Sequence, residues 1–117
     1  MDQTEWIDPS AVPSGPGCAD CATARPPGWW LHLRRCTLCG HVGCCDSSPG
    51  QHATAHFRRT GHPVIASFEP REEWFYDYRS GELVTGPQLA PPQAHPQDQS
   101  TPGPRDRVPA DWQSRLH

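Results

Sequence analysis

Two short stretches with the same spacing, Cys18-Ala19-Asp20-Cys21 and Cys36-Thr37-Leu38-Cys39, are separated by 14 residues of the chain. Two residues between a pair of cysteines form a tight turn, which lets both sulfur atoms converge on one metal ion. Zinc accepts sulfur and nitrogen ligands in a tetrahedral arrangement, so such pairs are typical of structural zinc sites. One pair is a weak signal, but two pairs at this distance indicate a metal-stabilised domain.

Four further side chains that can bind zinc follow the second pair: Cys44, His52, His56 and His62. With the two pairs they make eight ligands, which is the number that two closed, four-coordinate sites require. His52 and His56 are four residues apart on a predicted helix and face the same way. The spacing leaves open whether these two histidines share one ion or bind two. Cys45 is the alternative to Cys44, because adjacent side chains diverge and both cannot easily bind one ion.

The composition favours metal over disulfide bonds. The chain has 117 residues, of which 34% are hydrophobic, with 15 prolines and 10 glycines. So few hydrophobic residues form only a small core, and a domain with a small core usually needs metals or disulfides to stay folded. The N-terminus shows neither the basic start nor the apolar segment of a secretory signal, and no apolar run is long enough to span a membrane. We therefore expect a cytoplasmic protein whose six cysteines remain thiols.

Charge and ligand count argue against two classes of function. The formal net charge is −3, whereas a nucleic-acid partner requires a basic face; only Arg34-Arg35 and Arg58-Arg59 form basic pairs. The cysteines and histidines are taken up in complete sets of four, so neither a nucleophile with its base nor an open zinc position is left, and we expect no enzyme activity. All ten basic residues are arginine, which indicates GC-rich coding and a bacterial source.

The remaining pattern predicts an α+β fold, a small zinc-stabilised antiparallel sheet with one main helix. Start signals at 47–49 and a stop at Gly61 predict the helix over 50–59. Apolar or alternating runs predict strands at 29–33, 63–68, 74–78 and 82–84.

The predicted organisation is an irregular lead-in at 1–15, anchored by Trp6 and Ile7, then the zinc domain at 16–86, and a Pro-rich extension at 87–117. The composition of 87–111 indicates an extended segment, and 111–116 is predicted to form a turn that docks through Trp112 and Leu116.

The complete pattern resembles the zinc finger of ubiquitin proteases, the UBP-type zinc finger. The resemblance rests on the two cysteine pairs, Cys44, His52-x3-His56 and Gly61-His62-Pro63, and covers about residues 16–85. It indicates a short stand-alone member of the family with a cross-braced arrangement. The resemblance implies that one zinc binds Cys18, Cys21, Cys44 and His52, and that the other binds Cys36, Cys39, His56 and His62.

Many members of this family bind the C-terminal Gly-Gly tail of ubiquitin with an aromatic slot and an arginine that holds the carboxylate. Here Asp46 stands where the family has that arginine, and Arg34 stands where it has the slot tryptophan. The resemblance therefore supports the fold of the family more strongly than it supports binding of the ubiquitin tail. We expect a monomer that binds a protein or peptide tail, ubiquitin-like or other, through Trp30, Arg34, Tyr76 and Tyr78.

Cys45 motivates the alternative hypothesis, a structural zinc protein that responds to oxidation, because an exposed thiol beside thiolates is sensitive to oxidants. The other histidines are not assigned to metal. His32 is expected to face solvent or a neighbour, His41 to be exposed in its loop, and His95 and His117 to lie in the tail.

Overall fold

Five short antiparallel strands form one sheet in the computed structural model, which describes residues 3–117. The strands are β1 (Leu33–Cys36), β2 (Val42–Cys44), β3 (Val64–Ser67), β4 (Phe75–Asp77) and β5 (Glu82–Val84), in the spatial order β2-β1-β3-β4-β5. The α-helices are α1 (Ala19–Thr23) and α2 (His52–Thr60), and 3₁₀ helices span Gln3–Trp6, Arg105–Arg107 and Trp112–Arg115. The predicted α+β class is confirmed. Within residues 3–117 no helix has the length and apolar character that a membrane crossing needs.

The predicted strands at 63–68, 74–78 and 82–84 correspond to β3, β4 and β5. The predicted strand at 29–33 is wrong, since β1 begins only at Leu33. Trp30 is removed from the sheet because its backbone exchanges two hydrogen bonds, 2.8 and 3.0 Å long, with Gly103 of the C-terminal segment. Strand β2 and helix α1 were not predicted, because three and five residues are too few to show a period.

Helix α2 agrees with the prediction, beginning two residues later and ending one residue later than expected. Gly61 ends it in the left-handed conformation, φ 77°, and donates to the Phe57 carbonyl at 2.7 Å, as a glycine C-cap does. Gly43 on β2 lets the helix approach closely, since a Cβ there would lie 2.7 Å from the backbone nitrogen of Ala53. This contact brings the start of α2 next to Cys44.

The strand register assigns side chains to two faces of the sheet, because directly paired residues point the same way. On one face lie Leu33, Val42, Val64, Ala66 and Phe75, in two buried clusters. The first cluster contains Trp30, Phe68 and three cysteines, and the second contains Ile7 and Leu89, with Trp6 packed against it. On the opposite face α2 packs over β2 and β1.

Arg35 ties both flanking segments to the first face. The residue is 1% exposed, and its guanidinium donates to the carbonyls of Ala11, Ala90 and Pro92 at 2.8, 2.9 and 3.1 Å. Burial lowers the pKa of this group. The pair Arg34-Arg35 therefore presents no exposed basic patch.

The C-terminal segment lies extended against the domain and is held at a few positions. Leu89 and His95 are buried, and the His95 amide donates to the Phe68 carbonyl at 2.9 Å. The predicted turn is present as the 3₁₀ helix Trp112–Arg115. Trp112 and Leu116 are half-buried, and the His117 amide donates to the Ser47 carbonyl at 3.1 Å.

Candidate metal centres

The first candidate metal centre gathers Cys18, Cys21, Cys44 and His52. The Nδ1 atom of His52 lies 3.3 Å from the Sγ atoms of Cys18 and Cys21 and 3.5 Å from that of Cys44. The Sγ atoms of Cys21 and Cys44 lie 3.9 Å apart. All three cysteines are at most 1% exposed, so these sulfurs are shielded from solvent.

These distances fit a tetrahedral zinc ion. Zinc–sulfur and zinc–nitrogen bonds of about 2.3 and about 2.0 Å place two sulfur ligands about 3.8 Å apart, and a sulfur and a nitrogen about 3.5 Å apart. The observed sulfur–sulfur and sulfur–nitrogen separations lie within about 0.2 Å of those values, the margin expected for a genuine site. The first group therefore fits a closed structural zinc site.

The second candidate centre gathers Cys36, Cys39, His56 and His62. The Sγ of Cys36 lies 3.6 Å from Nδ1 of His62, and the Sγ of Cys39 lies 3.3 Å from Nε2 of His56. These distances also fit tetrahedral zinc. The structure thus brings the eight predicted ligands together in the two cross-braced sets that the resemblance implies, and each set fits one zinc ion.

Backbone amides support the sulfur atoms of the first centre. Cys18 is the N-cap of α1, and its Sγ accepts from the Cys21 amide at 3.3 Å. At the start of α2, Gln51 provides no side-chain cap, and the His52 amide donates to the Cys44 Sγ at 3.3 Å. Helix N-termini offer unsatisfied N–H groups that favour negative charge. Both helices therefore begin where they can stabilise a thiolate.

The thiols of the first centre compete for protons when no metal ion is bound. Hydrogen bonds with Cys18 and Cys21 lower the pKa of Cys44 to about 2. Hydrogen bonds with Cys18 and Cys44, together with burial, raise the pKa of Cys21 far above its ordinary value. One thiol ionises while a neighbour keeps its proton, because adjacent thiolates repel each other. A divalent ion offsets the repulsion between the thiolates, and its binding displaces the remaining protons.

Burial also shifts the pKa values of ligands in the second centre. Burial raises the pKa of the Cys36 thiol to about 11. Burial, followed by the nearby His41 and His62, lowers the pKa of His56 to about 4. His56 is therefore neutral at pH 7, which is the form that binds a metal. As the pH falls from about 6.5, the ordinary value, the unfolded chain takes up this proton before the folded chain does, so acid destabilises the fold.

Cys44, rather than Cys45, is the cysteine that faces the first centre. Cys45 is 6% exposed, and its Sγ lies 3.5 Å from the Ser48 hydroxyl. It is in neither group of converging ligands. The two adjacent cysteines thus have separate environments, as diverging side chains require.

His41 was expected to be exposed, and the structure corrects this. Its ring stacks on His56 with centroids 4.1 Å apart and planes 3° apart. Its Nε2 lies 2.9 Å from the Asp20 carboxylate, although the N–H does not aim at that oxygen. Asp20 belongs to the first cysteine pair, so His41 connects the two centres. His41 lies two residues after Cys39, between Gly40 and Val42, and this position gave no local signal of the contact.

His95 was expected in the tail, and the sequence did not predict that it is buried. Its Nε2 lies 3.1 Å from the Glu69 carboxylate, which is 3.4 Å from Nδ1 of His32 and accepts from the Leu33 amide at 2.9 Å. His32 therefore faces a neighbour, as expected. This cluster fastens the C-terminal segment to the start of β1.

Three of the four predicted partner-binding residues lie along one groove, on the face of the sheet against which α2 packs. Arg34, Tyr76 and Tyr78 line it, whereas Trp30 is 5% exposed within the first core cluster. Trp30 is absent from the groove because its side chain packs beside the first metal centre. The groove has a volume of about 730 Å³. Its other lining residues come mainly from α2, β3, β5, the loop after β2 and the segment before β4, and include Phe57, Ile65, Leu83, Asp46 and Trp74.

Comparison with known proteins agrees with this geometry. Residues 18–89 match the family described as the Zn-finger in ubiquitin-hydrolases and other protein. The solution NMR structure of a Rhodopseudomonas palustris protein is similar, with 39% identity, a TM-score of 0.59, and an alignment covering 80% of this chain and 85% of that one. No curated protein matches the chain. Because the family match covers more than half of the sequence and includes all eight ligands of the two centres, the chain belongs to this family of zinc fingers.

Proposed function

We propose that this zinc-binding module binds an extended protein or peptide tail, as a monomer, in the groove between α2 and the open part of the sheet. The observation that carries the proposal is Leu83, an apolar side chain that is 68% exposed at the mouth of the groove. The half-buried rings of Trp74 and Tyr76 lie beside it. Solvated apolar side chains around a concavity mark a binding surface.

The shape of the groove supports a slender ligand. Its volume of about 730 Å³ lies within the range of about 300–1,000 Å³ that ligand sites occupy. Phe57 of α2 stacks on Tyr78 with ring centroids 4.6 Å apart, and Tyr76 meets Tyr78 edge-on at 5.4 Å. Packed rings of this kind are rigid before a ligand arrives, which reduces the entropy lost on binding.

In this role the two zinc ions are structural and no catalytic step is expected. The reducing cytoplasm is the compartment in which such thiolates persist. The competing hypothesis gives Cys45 a redox function, but a reactive thiol needs access to solvent. Cys45 is 6% exposed and lies beside Ser48, so we favour peptide binding.

Two exposed aliphatic residues provide a matched test of the groove. Leu83 lines it, whereas Val12, 63% exposed, does not. We expect Leu83→Ala to weaken binding of ubiquitin, or of unstructured apolar hexapeptides, by at least about fivefold, as loss of an interface anchor does. Val12→Ala should have no effect. Isothermal titration, with amide NMR shifts to locate the ligand, provides the measurement.

The proposal fails if neither ubiquitin nor any hexapeptide shifts the amides of the groove residues. It fails equally if Leu83→Ala and Val12→Ala weaken binding to the same extent, because the ligand would then lie elsewhere.

A further inference from the structure

We propose that the groove recognises a positively charged side chain, lysine or arginine, at the end formed by Asp46. The inference rests on the proposed function and specifies the ligand for that site. Its basis is the arrangement of one carboxylate and three aromatic rings that line the same groove, with no basic group of residues 3–117 paired to the carboxylate.

Asp46 presents its charge to the groove. The residue is exposed and lines the groove, and its Oδ1 accepts a hydrogen bond from the Thr54 hydroxyl at 2.5 Å. The Gln51 side chain donates to the Asp46 carbonyl at 2.9 Å, which fixes the backbone beside it. Among residues 3–117 no basic group lies within ion-pair distance of the Asp46 carboxylate. Its charge is therefore available to a ligand.

Aromatic rings stand next to this carboxylate. The Tyr78 hydroxyl lies 3.1 Å from the Thr54 hydroxyl, so a short chain of hydrogen bonds connects the phenol with Asp46. Burial, and then the charge of Asp46, raise the pKa of Tyr78, and the phenol stays neutral at pH 7. Tyr76 and Phe57 complete the wall. Faces of aromatic rings attract cations, and a carboxylate adds a charge-assisted hydrogen bond.

Basic groups also line the groove. Arg34 is seated over the Trp74 ring, with its guanidinium carbon 4.6 Å from the ring centroid, and donates to the Leu33 carbonyl at 3.1 Å. Arg58 lines the groove from α2, and His32 lines it from the position before β1. Within the part of the chain that the structure describes, Asp46 is the one acidic side chain that lines the groove. Asp46 is thus the position that a terminal carboxylate would avoid and a cation would occupy.

The test uses hexapeptides with acetylated and amidated termini, so that one side chain carries the charge. Lysine, norleucine and glutamate are compared at one position, with the other positions drawn from Ala, Val, Leu and Phe. We expect lysine to bind about tenfold more tightly than its neutral isostere norleucine at low salt, with the preference decreasing in 0.5 M salt. Asp46→Asn should remove the preference, and Asp46→Arg should shift it to glutamate. Circular dichroism and zinc content show whether each variant is folded.

The possible outcomes separate the two proposals. If norleucine binds as tightly as lysine and Asp46→Asn changes nothing, while Leu83→Ala still weakens binding, the cation site is refuted and the peptide groove stands. If no peptide shifts the groove amides, both are refuted. A lysine preference that survives in Asp46→Asn would also overturn the inference, because another group would then supply the attraction.

Discussion

Replacing Cys44 with serine is expected to unfold the protein, whereas the same change at the adjacent Cys45 should leave it folded with both zinc ions. Cys44 is fully buried and converges with three other ligands, and it also accepts the first amide of α2. A structural zinc site contributes about 10–16 kcal/mol in zinc-finger peptides, whereas a typical domain is stable by about 5–15 kcal/mol. Loss of one site is therefore comparable with the whole stability.

Cys45→Ser is the matched control, because it makes the same chemical change one residue away. Its thiol lies beside the Ser48 hydroxyl and outside both centres, so we expect a cost of about 1–2 kcal/mol. Thermal unfolding followed by circular dichroism, with zinc content measured on each variant, compares the two. Equal damage from both substitutions, or greater damage from Cys45→Ser, would contradict the assignment of Cys44 to the first centre.

Removing zinc from the unmodified protein should abolish its tertiary structure. Three of the seven residues in the first buried cluster are ligand cysteines, so loss of the ions disrupts that cluster directly. Without the ions the thiols of Cys21 and Cys36 take up protons, because their pKa values are raised. A strong chelator at pH 7 should therefore collapse the dispersion of the amide NMR spectrum, and added zinc should restore it.

Acid should have the same effect as the chelator, since protons compete with zinc for its ligands. Magnesium in place of zinc is the control for re-addition, because it prefers oxygen ligands and should not restore the spectrum. A chelated protein that keeps a dispersed spectrum would show that zinc is not required for the fold.

The parts of this structure that sequence reasoning predicts are those fixed by a few residues at set spacings. Two cysteine pairs and a histidine pair four residues apart predict six of the eight zinc ligands, because tetrahedral coordination tolerates few alternatives. The sequence left open whether Cys44 or Cys45 is a ligand, and the division into two sets came from the family resemblance. Helix α2 was predictable because its stop at Gly61 and its length give a clear signal. Strands β3 to β5 followed from alternating or β-branched runs.

The errors arose where distant parts of the chain decide the local structure. Trp30 resembles a residue of a strand or a groove, but its backbone pairs with Gly103, 73 residues away, and its ring enters the core. His41 sits in a glycine-flanked loop that suggests exposure, yet the turn of the second cysteine pair places it on His56. His95 lies in a Pro-rich segment and is buried against Glu69. None of these contacts leaves a local pattern in the sequence.

The most direct test of the two-centre account is the mass of the intact protein under native conditions, compared with its mass after acid denaturation. The account predicts a difference of two zinc ions per chain, with no disulfide bonds among the six cysteines. One zinc per chain would show that only one of the two ligand sets binds metal. A native protein that contains no zinc would contradict the central claim.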